Sequence, residues 1–426
     1  MILEIRLENF YSIKHEVLLD FRAAKINNEA IKALSSNVIE YNGQKILKSI
    51  GLFGANASGK SNILKAINSC YRLILDSHQY NVGAEFNFSP FKFDDYAKKP
   101  SSFSINFIHE GIEYEYSFSL TTTEIVKESL YYYPNVRRVK VFVRDETKSS
   151  AKQEKYNFSD GLIPRPFDVA INTSIKTLFL SRASQMDREF CMKLYSYFMQ
   201  NFLIKFAPLL DFDSLRFVST TQSFIKNKEL ILHALAICDS DISDIEMVQE
   251  ETKFDGTYKF NGTINYSGKG SISKFETFHK ANPTVSFDLF GEESAGTTQL
   301  FNMLFFLLDV VKNGKVFMLD EFDLSLHTKL ASFIIDLFYA GSSAQFLFTS
   351  HNTNLIDAKY FRRDQIWFCD KKEDGSTELY SLYDYKDFRE NMDAEKGYLQ
   401  GRFDAIPIVD NSLSALKKLL GNTETA

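Results

Sequence analysis

Hydrophobic and polar positions alternate from the first residues, with Leu3, Ile5 and Leu7 on one face and Glu4, Arg6 and Glu8 on the other. Val17, Leu19 and Phe21 repeat the pattern, so two half-buried strands are expected around a turn at Tyr11–Lys14. Residues 22–44 are polar and irregular. An apolar run from Ile46 to Phe53 then reads as a buried strand, and Ile63, Leu64, Ala66 and Ile67 fall at helical spacing over about Ser61–Leu75. Phe103–Phe107 and Tyr114–Phe118 alternate on either side of Gly111, a hairpin pattern that 125–145 continues. Residues 1–145 therefore read as an N-terminal lobe of mixed strands with one main helix.

Residues 146–186 read as a polar connection with a short strand at Thr177–Leu180. Helical spacing at Asp187–Phe206 and Lys228–Cys238 and a hairpin at Tyr258–Ser273 define a globular α+β insert over 187–285, without a sustained heptad seam. The remaining elements are a helix at Glu292–Asn313, a strand at Lys315–Glu321, a helix at Leu330–Phe338, and strands at Ala344–His351 and Gln365–Cys369. They form a C-terminal lobe over 286–385, with 386–426 as a tail. Strands alternating with helices predict an α/β fold with a parallel core sheet covered on both faces.

Composition narrows the class. With 44% apolar and 24% charged residues in 426, the chain is an ordinary globular protein large enough for two or three domains. A net charge of −6 gives no general affinity for a phosphate backbone. Cys70, Cys191, Cys238 and Cys369 are scattered and form no C-x-x-C pair, as expected for a reducing cytosol. The run Leu300–Val311 is too short to span a bilayer, so no membrane partner and a cytoplasmic location are expected.

The chemistry concentrates in Gly54-Ala55-Asn56-Ala57-Ser58-Gly59-Lys60-Ser61-Asn62, between the buried strand and the helix. Strand, glycine loop and helix are the context in which backbone N–H groups of Gly54 and Asn56–Gly59 curl round phosphates. Lys60 would reach the β- and γ-phosphates, and Ser61 would hold Mg²⁺, with Asn62 beside it. Downstream, Val316–Leu319 bury a strand that ends in Asp320 and Glu321. Asp320 suits a Mg²⁺ ligand, and Glu321 suits a base or water-orienting group. Another buried strand ends in Thr349-Ser350-His351 at the same sheet edge, which makes His351 a candidate γ-phosphate contact; a strand-end histidine can equally be structural. Ser294-Ala295-Gly296-Thr297 opens an apolar helix, either as a plain N-cap or as an anion site.

This order of motifs resembles the ABC-type ATPase heads, the class that includes the SMC-like and DNA-repair ATPases. The resemblance implies ATP and Mg²⁺ as cofactors and a head-to-tail homodimer, or a higher even oligomer. In it, Ser294 and Gly296 would act on ATP bound to a second copy. Ser181-Arg182-Ala183-Ser184-Gln185 resembles the glutamine loop of that class, which would make Gln185 a Mg²⁺ contact; a surface loop is the other reading. More narrowly, the start Ile2–Ile13, the segment Asp320–His327 and the segment Gly397–Pro407 resemble the bacterial ATPases of the RloA/AbiL type, found in anti-phage and abortive-infection loci. That resemblance implies an ATPase switch acting through a separately encoded effector, often a nuclease. Two departures stand out. The helix start reads Ser-Ala-Gly-Thr rather than Ser-Gly-Gly, and Leu326-His327 stands where many ABC heads carry Leu-Asp.

An SMC-like repair ATPase that clamps DNA directly is the alternative. The stretch Tyr131–Arg144 places basic residues beside rings and is a candidate nucleic-acid contact, or else the charged face of a hairpin. Asp211-Phe212-Asp213 and Asp239-Ser240-Asp241 are D-x-D pairs expected to be solvated. The residues after Tyr385 are expected to be too few for a nuclease domain.

Overall fold

The computed structural model describes residues 1–26, 32–81, 83–148, 151–206, 217–237, 241–259, 263–324, 326–389 and 392–406. Asp211–Asp213, Asp239, Ser240, Ser325 and the tail beyond Ile406 lie outside these residues. The chain divides into two compact units, one of Met1–Ile204, Gly314–Phe322 and Phe338–Ala426, the other of Lys205–Asn313 and Asp323–Leu337.

The first unit opens with β1 (Ile2–Glu8), β2 (Val17–Asp20), β3 (Val38–Tyr41), β4 (Gln44–Leu47) and β5 (Ser49–Phe53). The expected single apolar strand is broken at Lys48, whose buried ammonium donates to the carbonyls of Tyr339 and Gly341. Helix α1 (Lys60–Asp76) follows, then β6 (Ser101–His109), β7 (Ile112–Leu120), β8 (Ile125–Tyr133), β9 (Val139–Asp145) and β10 (Tyr156–Phe158). Next come the helices α2 (Pro166–Ile171), α3 (Phe179–Gln185) and α4 (Glu189–Asn201), and β11 (Phe202–Phe206).

Seven strands form a sheet in the order β10-β9-β8-β7-β6-β1-β2, antiparallel at every pairing. Alternating burial along β6 and β7 reflects one face against the core and one toward water, as the period-two pattern requires. Tyr197 of α4 stacks on Phe107 of that inner face at 4.9 Å between centroids, and Phe198 meets it edge-on at 5.1 Å.

Two expectations fail here. Thr177–Leu180 is not a strand, because a helix starts at Phe179, and the helix read as ending at Phe206 gives way to β11 at Phe202. The start of α3 has no side-chain cap of its own. Instead, the Glu128 carboxylate of β8 accepts from the N–H of Phe179 at 2.6 Å and of Leu180 at 3.0 Å. Two first-turn donors are thus satisfied by a residue fifty positions upstream, which no local pattern can show.

The second unit contains α5 (Phe217–Ile237), the three-stranded antiparallel sheet of β12 (Ile242–Lys259), β13 (Thr263–His279) and β14 (Asn282–Asp288), and α6 (Ala295–Lys312). Its core is a ring cluster in which Phe275 meets Phe224 at 5.0 Å and Phe301 at 5.2 Å.

The chain then contributes β15 (Val316–Asp320), α7 (Thr328–Ala340), β16 (Gln345–Thr349), β17 (Ile366–Lys371), β18 (Thr377–Ser381) and α8 (Ala394–Leu399). The central sheet has the order β11-β15-β16-β5-β17-β18. Its β15–β16, β16–β5 and β5–β17 pairs are parallel, and β18 closes it antiparallel. Strands β5, β15 and β16 are buried along their whole length, hence their near-continuous apolar sequences. Gln345 joins the two sheets: its amide oxygen accepts from the Ile2 N–H, and its amide nitrogen donates to the carbonyls of Ile2 and Leu47.

Candidate functional site

The parallel strands β5, β16 and β15 end together, and their carboxyl ends carry the candidate chemistry. From β5 the chain turns through Gly54–Gly59 into α1. Gly54 at φ +148° and Gly59 at φ +110° sit in backbone regions that favour glycine, and both are crowded. A Cβ at Gly54 would lie 2.3 Å from the Cys369 carbonyl oxygen, and one at Gly59 would lie 2.0 Å from Thr377 Oγ1.

The loop is fixed from outside by a relay of hydroxyls. Asn62 Nδ2 donates to Ser12 Oγ at 2.8 Å, and Thr377 Oγ1 donates to the Ser58 carbonyl at 2.8 Å. Ser12 Oγ and Thr377 Oγ1 are 2.7 Å apart, so Ser12 donates to Thr377. The Ala55 N–H donates to the Ala405 carbonyl at 2.9 Å, and the Tyr398 hydroxyl donates to the same oxygen. The sequence marked Asn62 but gave no sign of Ser12, Thr377 or Ala405 as loop supports, since each is remote along the chain.

Lys60 is 4% exposed and donates to the carbonyls of Gly54 and Ala55 at 2.8 and 2.9 Å. Burial pulls its pKa below the ordinary lysine value, against the raising influence of Cys369, Asp320 and Glu321. Ser61 Oγ donates to Asp320 Oδ1 at 3.0 Å, although the two residues lie 259 positions apart. The same oxygen accepts from Thr349 Oγ1 at 2.6 Å. Glu321, at φ +48° just beyond β15, gives its N–H to Thr349 Oγ1 at 2.7 Å.

Of the trio at the end of β16, it is therefore Thr349 that meets the acidic pair. His351 lies exposed two positions past the strand end. The polar Thr-Ser-His run was the available signal for Thr349.

Other candidates are placed as follows. Ser294 caps α6, its Oγ accepting from the Thr297 N–H at 3.1 Å, so the plain N-cap is realised and Gly296 sits in the positive first turn. Gln185 closes α3, with its amide oxygen accepting from the Arg182 guanidinium, so the loop placement expected for it is replaced by a helix end. In the basic stretch Tyr131–Arg144, two cations are paired with carboxylates of the same chain. Arg144 is buried beside Glu146 at 2.7 Å and Glu128 at 3.7 Å, and Arg138 grips both oxygens of Glu115 while stacking on Tyr131. No described helix is long and apolar enough to cross a membrane.

The donor set suits Mg²⁺ and a nucleotide. Magnesium takes few protein oxygens and leaves room for phosphates and water. Ser61 and Asp320 supply such oxygens, and the described residues contain no cluster of three His, Cys, Asp or Glu that would form an all-protein cage. Ser58 Oγ is buried in the loop without a hydrogen-bond partner, a donor available to a phosphate oxygen. Gly59→Ala is expected to weaken ATP binding at least tenfold, because the new methyl must displace Thr377 while holding φ +110°. Calorimetry with wild-type affinity would refute this.

Loop, acidic strand end and parallel sheet define a P-loop nucleotide-binding fold. Residues 49–357 match the family described as "AAA domain, putative AbiEii toxin, Type IV TA system", and the chain belongs to that family. Among solved structures, the chain is similar to the SMC head domain from Thermotoga maritima. Identity is 14%, coverage 89% of this chain and 98% of that one, and the TM-score 0.40. An Smc head domain with an extended coiled coil, bound to the C-terminal domain of ScpA derived from Pyrococcus furiosus, gives 14%, 89% and 96%, with a TM-score of 0.40. No curated protein matches the sequence.

Proposed function

We propose that the protein is an ATP-hydrolysing switch. Two copies close head to tail round ATP and Mg²⁺, hydrolysis reopens them, and a separately encoded effector, a nuclease or toxin, responds to the change in bacterial anti-phage defence. The observation that carries the reading is the contact of Ser61, adjacent in the chain to Lys60, with Asp320, adjacent to Glu321. It joins the phosphate-binding loop to the acidic strand end in one site. The family's description as a putative AbiEii toxin of a type IV TA system fits a defence setting, as does the resemblance to the RloA/AbiL type. ATP can act as a switch only by favouring one arrangement that the partner distinguishes from the other.

In this reading the P-loop amides and Lys60 bind the phosphates, Ser61 and Asp320 hold Mg²⁺, Glu321 orients the attacking water, and Ser294 and Gly296 complete the site of the second copy. Magnesium supplies charge neutralisation at the transferring phosphoryl group. Direct DNA clamping is less supported, because Arg138 and Arg144 are already committed within the protein.

The trans arrangement has a direct test. Ser294→Arg is expected to bind ATP but not turn it over, and Lys60→Ala not to bind it. Mixed together, they are expected to regain part of the activity, because one of the two composite sites becomes whole. Absence of rescue, with mixed dimers shown to form, refutes the trans role.

A further inference from the structure

Strand β16 lies between β5 and β15 and runs parallel to both, so its carboxyl end opens between the phosphate loop and the acidic strand end. Its last residue is Thr349, one step beyond the pair Leu319↔Phe348 and so beside Asp320. Phe346, Leu347 and Phe348 are apolar and buried, and Thr349 is as deeply buried as they are. A hydroxyl in such surroundings is costly unless it is hydrogen-bonded, and valine would fill much the same space without it. The Thr349 hydroxyl therefore meets a need other than packing.

Both of its bonding capacities are used. It donates to Asp320 Oδ1 at 2.6 Å and accepts from the Glu321 N–H at 2.7 Å. The Thr349 carbonyl accepts from the next amide, that of Phe322, at 3.2 Å. One residue thus receives two successive N–H groups of the chain leaving β15 and also grips the carboxylate that precedes them. Glu321 turns there at φ +48°, a left-handed conformation that a glutamate keeps only where its surroundings enforce it. Beyond the turn, Phe322 is buried against Phe348, with ring centroids 4.5 Å apart, and meets Phe346 edge-on at 5.4 Å. The backbone of Glu321 is pinned between the Thr349 hydroxyl and that ring cluster. Threonine is stiff at χ1 because it branches at Cβ, so the strand presets where its hydroxyl points.

We propose that Thr349 is a positioning residue for ATP hydrolysis: its one hydroxyl locks the Asp320 carboxylate and the Glu321 backbone in a single relative geometry. This rests on the reading of Asp320 as the Mg²⁺ ligand and Glu321 as the water-orienting group, and Thr349 acts through those two residues. Without the hydroxyl, the backbone between the two acids is released from the left-handed region, and the Glu321 side chain swings with it.

Thr349→Val, which keeps the shape and loses the hydroxyl, and Thr349→Ser, which keeps the hydroxyl, test this in the full chain. Without nucleotide, hydrogen exchange at the Glu321 amide is expected to quicken at least about tenfold in the valine variant and to stay near wild type in the serine variant. With ATP and Mg²⁺, the valine variant is expected to lose about 10–100-fold in kcat while its ATP affinity changes less than about threefold. The serine variant is expected to keep most of the wild-type rate. In a Glu321→Gln background, Thr349→Val is expected to cost little more, because the group it positions is already gone. Unchanged exchange, a wild-type rate in the valine variant, equal losses for valine and serine, or losses that multiply in the double variant would each overturn the proposal. If the valine variant fails to fold, Thr349→Ala against Thr349→Ser carries the same contrast. A wild-type chain that does not hydrolyse ATP removes the ATPase reading and the proposal with it, whereas a hydrolysing wild type with an indifferent valine variant removes the proposal alone.

Discussion

Glu321→Gln is expected to bind ATP with near wild-type affinity and to hydrolyse it roughly 10²–10⁴-fold more slowly. The change is isosteric, and the structure gives it little to disturb. The backbone of Glu321 is held by its N–H on Thr349 Oγ1, and the neighbouring Asp320 keeps its bonds to Ser61 and Thr349. What is lost is the carboxylate that the proposed mechanism uses to orient or deprotonate water. Single-turnover phosphate release measures the effect. A variant that turns over at the wild-type rate moves the role elsewhere, with His351 the next residue to change.

The second large effect is on stability. Glu128→Ala is expected to cost about 3–5 kcal/mol, the range for removing one partner of a buried ion pair. Glu128 and Arg144 are both fully buried, 3.7 Å apart. Burial pushes the Glu128 carboxyl above the ordinary range, and Arg144 and the surrounding donors pull it back. Those donors are the N–H groups of Phe179 and Leu180 and the Tyr116 hydroxyl at 2.9 Å. Alanine would strand all three and leave the Arg144 cation to Glu146 and the Thr177 carbonyl. Glu128→Gln retains an acceptor and is expected to lose less. Urea unfolding measures both, and a loss under about 1 kcal/mol for the alanine variant would show that the cluster relaxes.

Much of the site is legible along the chain because its chemistry is local. The glycines must stand where the loop curls, Lys60 and Ser61 must open the helix, and the acids must follow an apolar run. Each constraint acts over a few residues, so each leaves a pattern. The period-two strands of the first lobe are legible for the same reason, since burial on one face imposes alternation. The failures are long-range. Thr177–Leu180 looks extended, yet Glu128 caps a helix there. Tyr131–Arg144 reads either as a nucleic-acid contact or as a charged hairpin face, and the chain alone does not show that Arg144 is a core residue or that Arg138 pairs with Glu115.

The sequence by itself determined the phosphate loop, the acidic strand and the α/β class, because backbone geometry and hydrophobic period act on neighbouring residues. Only the tertiary structure decided that Ser61 meets Asp320, that Thr349 binds the acidic pair, and that Ser12, Thr377 and Ala405 hold the loop. These outcomes depend on which strands become neighbours and in what register. That choice is made by packing between segments hundreds of residues apart, and no local pattern records it.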